Sequence, residues 1–406
     1  MRALMFGVSA SDAPQIADDA PQQLRHLALA PMDLRVMPDP QLLAPDWVVI
    51  RTAMCGICGS DSKQVFLEGD GDSPMTALIS FPQVLGHEVV GEIVEAGPES
   101  GRRPGERVVL NPWLSCGPRG ISPPCPACVA GEYNLCHHFT EGHLAPGIHT
   151  GNSQTATGGF AEFLPAHTSM AIPCPDSVED EAAVLADPFS VALHSVLRNP
   201  PPPAGKVVVY GIGALGLSTC AILARLHPDV EVGAIVRFDH QAAAAERYGA
   251  RAFRSQPTVD LIHALGDWTH AVVHVPWEGL PMAFPAGVDV VYDTVGTPET
   301  LEVSVRVLRA RGRLVLTGVS QPARFEWSPW YFKELSLIGS NAFGVEVVDG
   351  VRQHAIAHYL DWAANATIDV RPMLTHTFPL TGWRAAFETI ARQENTGAIK
   401  VAFDHR

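Results

Sequence analysis

The sequence predicts an α/β protein of two domains, one rich in β-strands and one built on a doubly wound parallel sheet. Three observations predict it. The chain has 406 residues, more than one hydrophobic core usually serves. Roughly the first 170 residues read as short strands and loops, whereas after about residue 206 strand-like and helix-like stretches alternate. Apolar residues make up 47% of the chain and charged residues 17%, so a packed interior is within reach and wholesale disorder is excluded.

The elements follow in order. Residues 46–54 are rich in β-branched side chains and predict a strand, as do 89–94 and 107–110. Residues 181–197 are alanine-rich with helical spacing, and the tract Asn199-Pro-Pro-Pro-Pro-Ala-Gly205 stops that helix. Strands are then expected at 207–210, 232–236, 288–292, 313–316 and 335–338, with helices at 214–226, 241–248 and 299–308. Helices at 351–364 and 383–392 and a strand at 398–403 close the chain. Residues 9–28, polar and alanine-rich, fit no element. The expected division is 1–187 with 341–406 as the β-rich domain, and 188–340 as the parallel-sheet domain.

Charge and cysteine usage narrow the function. With 28 basic and 43 acidic residues the net charge is −15, which repels phosphate backbones and argues against a nucleic-acid partner. Eight cysteines are too few for a secreted disulfide scaffold, and six of them crowd between Cys55 and Cys136, which suggests metal in a reducing, cytoplasmic setting. The apolar start, Met1 to Gly7, is short for a signal peptide. Residues 207–224 lack charge, but Gly211, Gly213 and Gly216 make a strand, turn and helix the better reading than a membrane span.

Four motifs carry chemistry. Gly211-Ile212-Gly213-Ala214-Leu215-Gly216 follows an apolar strand and opens a helix, the arrangement that binds a dinucleotide pyrophosphate at a helix N-terminus. About 20 residues on, where an acidic residue normally holds the adenosine ribose, stand Val236 and Arg237. Arg237 could pair with a 2′-phosphate, which favours NADP over NAD; alternatively it is solvated and Asp239 turns back to the ribose. Cys116, Cys125, Cys128 and Cys136 are the thiols of a closed tetrahedral zinc site in the loop 111–137, or else remain unmetallated. Cys58, in Cys-Gly-Ser-Asp, and His87-Glu88 form a second constellation with a position to spare; taken singly, each fits an ordinary core residue.

Taken together, Cys-Gly-Ser-Asp at 58–61, Gly-His-Glu at 86–88, the thiol loop, Gly-Gly-Phe-Ala-Glu at 158–162 and the glycine loop occur in the order seen in one family. Over nearly its whole length the chain resembles the zinc-dependent medium-chain alcohol dehydrogenases, most of all the polyol, glucose and threonine dehydrogenase branches. The resemblance implies a GroES-like catalytic domain joined to a Rossmann domain. It implies Cys58 and His87 as ligands of a catalytic zinc, Glu88 beside the metal, Ser60 as the group that passes on the substrate proton, and Asp61 as the group that orients His87. A third ligand falls at Asp187, in Asp-Pro-Phe-Ser-Val-Ala-Leu-His, where those branches carry the longer glutamate. Aspartate there reaches zinc directly, through water or not at all, or serves as a helix N-cap. Thr317 and Val319 are implied as further nucleotide contacts.

The expected activity is alcohol–carbonyl interconversion on a small secondary alcohol or polyol with NADP or NAD, by a homodimer or homotetramer. The alternative is a relative that binds nucleotide and zinc without turnover. Three departures stand out. Eight residues separate Cys116 from Cys125 where two are usual, at a loop-closure cost of about 1 kcal/mol or less. Lys63 replaces a relay histidine, and residues 252–287 are long and contain Trp268 and Trp277.

Overall fold

A computed structural model describes residues 1–11, 20–69, 73–318 and 324–406. Its chain forms two compact units, Met1–Pro188 with Phe343–Arg406, and Phe189–Ala342. The first is organised around the strand Trp47–Gly56, whose Val48 and Ile50 are wholly buried while Arg51 faces out. This strand pairs antiparallel with Glu88–Ala96, Phe163–His167 and Lys400–Asp404. Leu374–Phe378, Arg107–Leu110 and Ala171–Pro173 complete a seven-stranded sheet. A smaller sheet of Met32–Val36, Arg2–Phe6 and Gln83–Val84 packs into the same core, with Leu4, Trp47, Phe160 and Phe403 at its centre.

The second unit is a six-stranded parallel sheet in the order Arg251–Arg254, Glu231–Val236, Lys206–Tyr210, Val288–Asp293, Leu308–Leu316, Ser336–Gly339. By position in the chain that is 3-2-1-4-5-6, with the reversal beside Lys206–Tyr210, where such sheets take their ligands. Val207, Val208 and Val209 are all buried, as a strand covered on both faces requires. The uncharged stretch 207–224 resolves into that strand and the helix Ala214–Leu226. Among the described residues no helix is long and apolar enough to cross a membrane.

The structure corrects some local expectations. The helix expected at 351–364 begins only at Ala355; Val351–His354 is a strand that pairs with Val345–Val348 in a hairpin. Asp349 and Gly350 between them both have positive φ, so the Asp-Gly turn signal outweighs the helical spacing. The expected helix 181–197 is two helices, Asp180–Ala183 and Ala186–Arg198. In the stretch 9–28, residues 12–19 lie outside the described residues, and Gln22–Leu29 is a helix that buries Leu24 and Leu27. Residues 252–287 include the helix Thr258–Thr269 and a short hairpin, Val273–His274 with Met282–Ala283. Trp268 packs on Phe253 there, while Trp277 is fully exposed.

Candidate active site

Two strand ends build the mixed cluster. Cys58 follows Trp47–Gly56 and caps the helix Gly59–Val65, where its N–H donates to Asp61 Oδ2 at 3.0 Å. His87 immediately precedes Glu88–Ala96, and the pairing register sets Gly56 opposite Glu88. As a result Cys58, His87 and Glu88 each offer a donor atom within 4.8 Å of the others. Lys400 arrives on a third strand, ion-pairs with Glu88 and donates to the Ile57 carbonyl at 3.0 Å. A side chain at Gly56 would collide with both Glu88 and Lys400, so the pair needs that glycine.

Charge in this enclave is tightly balanced. Burial opposes a charge on His87, but Asp61 and Cys58 outweigh it and hold the imidazole well above its usual range. Asp61 Oδ1 stands 3.7 Å from His87 Nδ1, an ion-pair distance, and Nδ1 has no hydrogen-bond partner. Asp187, 5% exposed, is pushed up to about 7 by burial, against the pull of His87. It acts on the same groups but is not one of the three whose donor atoms converge. Ser60 is exposed on the first turn of Gly59–Val65, and Lys63 lies on the same helix with burial lowering its ammonium pKa. A thiol, an imidazole and a carboxylate are donors that zinc accepts once each is deprotonated, so a bound ion would take the place of the proton that the imidazole otherwise keeps.

The four thiols of Cys116, Cys125, Cys128 and Cys136 converge as well, all within 4.8 Å of one another. None of the eight cysteines is in a disulfide. Backbone N–H groups of Cys125 and His138 donate to the sulfurs of Cys116 and Cys136 at 3.3 and 3.4 Å, which suits thiolates. Four convergent sulfurs fit a closed zinc cage.

In the other unit, Gly211 has φ +89°, and a side chain there would strike Val295. A Cβ at Gly216 would meet the Gly211 carbonyl, while Gly213 faces open space at the N-cap of Ala214–Leu226. Ile212 is buried, and Ala214 and Leu215 form the first helical turn. Val236 ends its strand buried, and Arg237 beyond it is exposed over the Phe238 ring. Asp239 is engaged by Arg254, whose strand lies beside Val236. The Thr317 hydroxyl donates to the Asp293 carbonyl at 3.2 Å. Val319 lies outside the described residues.

Sequence reasoning missed Lys400, Arg254, His149 and Arg119. His149 lies against His87 with ring centroids 4.5 Å apart, yet nothing in its local sequence marks it. Arg254 ends a strand beside the ribose position, a signal available once the strand order is known.

Residues 44–176 match the alcohol dehydrogenase GroES-like domain, and residues 211–365 match the zinc-binding dehydrogenase family. The L-idonate 5-dehydrogenase of Vitis vinifera is 27% identical over 366 residues, 89% of each chain. The sorbitol dehydrogenase of Arabidopsis thaliana is 28% identical over the same length and shares. A zinc-binding dehydrogenase of Sinorhizobium meliloti solved bound to NADP is 26% identical, with TM-score 0.66 over 99% of both chains. With both family domains in sequence order, and their cysteine and glycine motifs in place, the chain belongs to the zinc-dependent medium-chain alcohol dehydrogenase superfamily.

Proposed function

We propose that the protein is a zinc-dependent oxidoreductase that interconverts a secondary alcohol or polyol-type substrate and its carbonyl, with NADP preferred over NAD. The convergence of Cys58, His87 and Glu88 in a buried enclave carries this reading. When bound, the two cofactors supply Lewis acidity at the alcohol oxygen and a hydride acceptor for its carbon. Relatives named for L-idonate and sorbitol support the substrate class.

The chain's residues then divide the work. Cys58 and His87 would hold the catalytic zinc, with carboxylates from Glu88 and Asp187 available to complete its set. Lys400 offsets the Glu88 charge, so the enclave opposes loss of the alcohol proton less than an unpaired carboxylate would. Asp61 fixes the Cys58 backbone and stands behind His87. Ser60, exposed at the helix start, takes the alcohol proton and passes it outward. The thiols at 116, 125, 128 and 136 would hold a structural zinc. Gly213 leaves its backbone open to a pyrophosphate, and Arg237, exposed just past Val236, is available to a 2′-phosphate while Arg254 holds Asp239.

Metal analysis with a panel of alcohols, assayed with each nucleotide, tests the whole reading. Two zincs per chain with alcohol-dependent NADP reduction support it. One zinc, nucleotide binding and no turnover favour the inactive alternative. Arg237→Ala should cut the NADP-to-NAD affinity ratio by about tenfold, the worth of one charge-assisted pair; an unaltered ratio refutes the cofactor preference.

A further inference from the structure

The long interval between Cys116 and Cys125 carries Arg119, which is 1% exposed. Among the described residues no carboxylate pairs with it. Its guanidinium donates instead to five backbone carbonyls: Leu114 at 2.9 Å, Glu141 at 2.7 Å, Leu144 at 3.2 Å, Ala145 at 3.3 Å and Gly147 at 2.7 Å. Four of these lie in the segment 141–147. The grip is mutual, since His143 N–H donates to the Arg119 carbonyl at 3.3 Å. Gly142, at φ +79°, lies so close to that carbonyl that a side chain would strike it.

The gripped segment leads directly to the metal cluster. Leu114 N–H donates to the Ile148 carbonyl at 3.0 Å, Trp113 bridges to His149, and Thr150 N–H donates to the Pro112 carbonyl at 2.8 Å. His149 Nδ1 donates to the Thr150 carbonyl at 2.6 Å, which fixes its ring. That ring lies 4.5 Å from His87, with Trp113 edge-on behind it at 5.9 Å. A ligating histidine is usually held by a hydrogen bond to its second nitrogen, and His87 Nδ1 has none. Asp61 Oδ1 stands 3.7 Å from that nitrogen, an ion-pair distance but longer than a hydrogen bond, so packing has to add to the restraint.

We propose that Arg119 is a positioning residue for the metal-binding imidazole: it fixes segment 141–147 and so seats His149 as the wall that holds His87 in orientation. The proposal rests on the reading that Cys58, His87 and Glu88 bind zinc. It also gives the enlarged thiol loop a purpose besides the cage.

Zinc release from the full, loaded chain to a chelating dye tests it, with the two sites told apart by Cys58→Ser. His149→Ala should speed release from the His87 site by about tenfold, the usual scale for losing a group that orients a ligand, while thiol-cage release is unaltered. His149→Phe, which keeps a flat ring, should restore slow release. Arg119→Lys keeps the charge but not the fork; it should accelerate release too, with no further gain when combined with His149→Ala. Release from the His87 site insensitive to His149→Ala overturns the proposal, as does failure of phenylalanine to rescue, or multiplied effects in the double variant. If Arg119→Lys does not fold, the His149 pair still decides. A chain with zinc only in the thiol cage defeats the functional reading as well; two zincs whose release ignores His149 defeat this proposal alone.

Discussion

The two clusters of candidate metal ligands in the first unit are assembled in opposite ways. The four thiols come from one loop, with Cys116 and Cys136 only 20 residues apart, and nearby backbone N–H groups serve their sulfurs. The mixed cluster is drawn from strand ends, and its Lys400 donates to a carbonyl 343 residues away. A loop-borne cage needs little beyond its metal, whereas the mixed cluster exists only while the sheet keeps its register. Four thiols would fill a tetrahedral ion and hold a loop together, whereas three donors would leave a position for substrate among charges fixed in advance.

Cys58→Ser should lower alcohol-dependent turnover by about 10³-fold or more, equivalent to about 4 kcal/mol of barrier, with little change in melting temperature. Retained turnover would remove the mixed cluster from the chemistry. Lys400→Met leaves Glu88 buried without its partner and should cost about 3–5 kcal/mol in urea unfolding. A loss of less than about 1 kcal/mol would show that the sheet does not rely on this pair. Cys128→Ser should open the thiol loop to protease while costing only about 2 kcal/mol globally, because the sheet does not depend on it. Equal losses from Cys128→Ser and Lys400→Met would erase the distinction.

The smallest effect supplies a baseline away from both clusters. Glu162 accepts from Arg2 N–H at 2.7 Å and from Arg2 Nε at 2.8 Å, and these bonds hold its carboxyl below the usual range. A carboxyl lowered by folding stabilises above its unfolded pKa of about 4.3, and that contribution fades as pH falls through the folded value. Glu162→Gln should therefore cost about 1 kcal/mol near neutrality and nothing in strong acid, as read from urea melts across pH. A cost that persists in acid would point to packing in place of charge.

How much of this was legible follows from the residues. The glycine loop was legible because a turn, a close helix–strand approach and an open N-terminus each demand glycine, and Gly211, Gly213 and Gly216 stand at that spacing. The alternation that marked the parallel sheet was equally plain, since its strands are buried on both faces. The hairpin Val345–His354 was hidden by apolar spacing that a helix also satisfies. Asp187 and Glu88 show the same limit within the site. Their residue types are alike, and only the register of Gly56 against Glu88 brings the second into the converging trio.

The sequence by itself determined which groups could bind zinc and nucleotide, because thiols, imidazoles and glycines have chemistries that few other residues share. Tertiary structure alone decided which carboxylate converges with Cys58 and His87, that Lys400 pairs with it, and that His149 packs against His87 while Arg119 grips the segment before it. Those choices depend on strand register and on packing across long stretches of chain, where the interaction of two groups is set by their separation in space and leaves no mark on the residues between them.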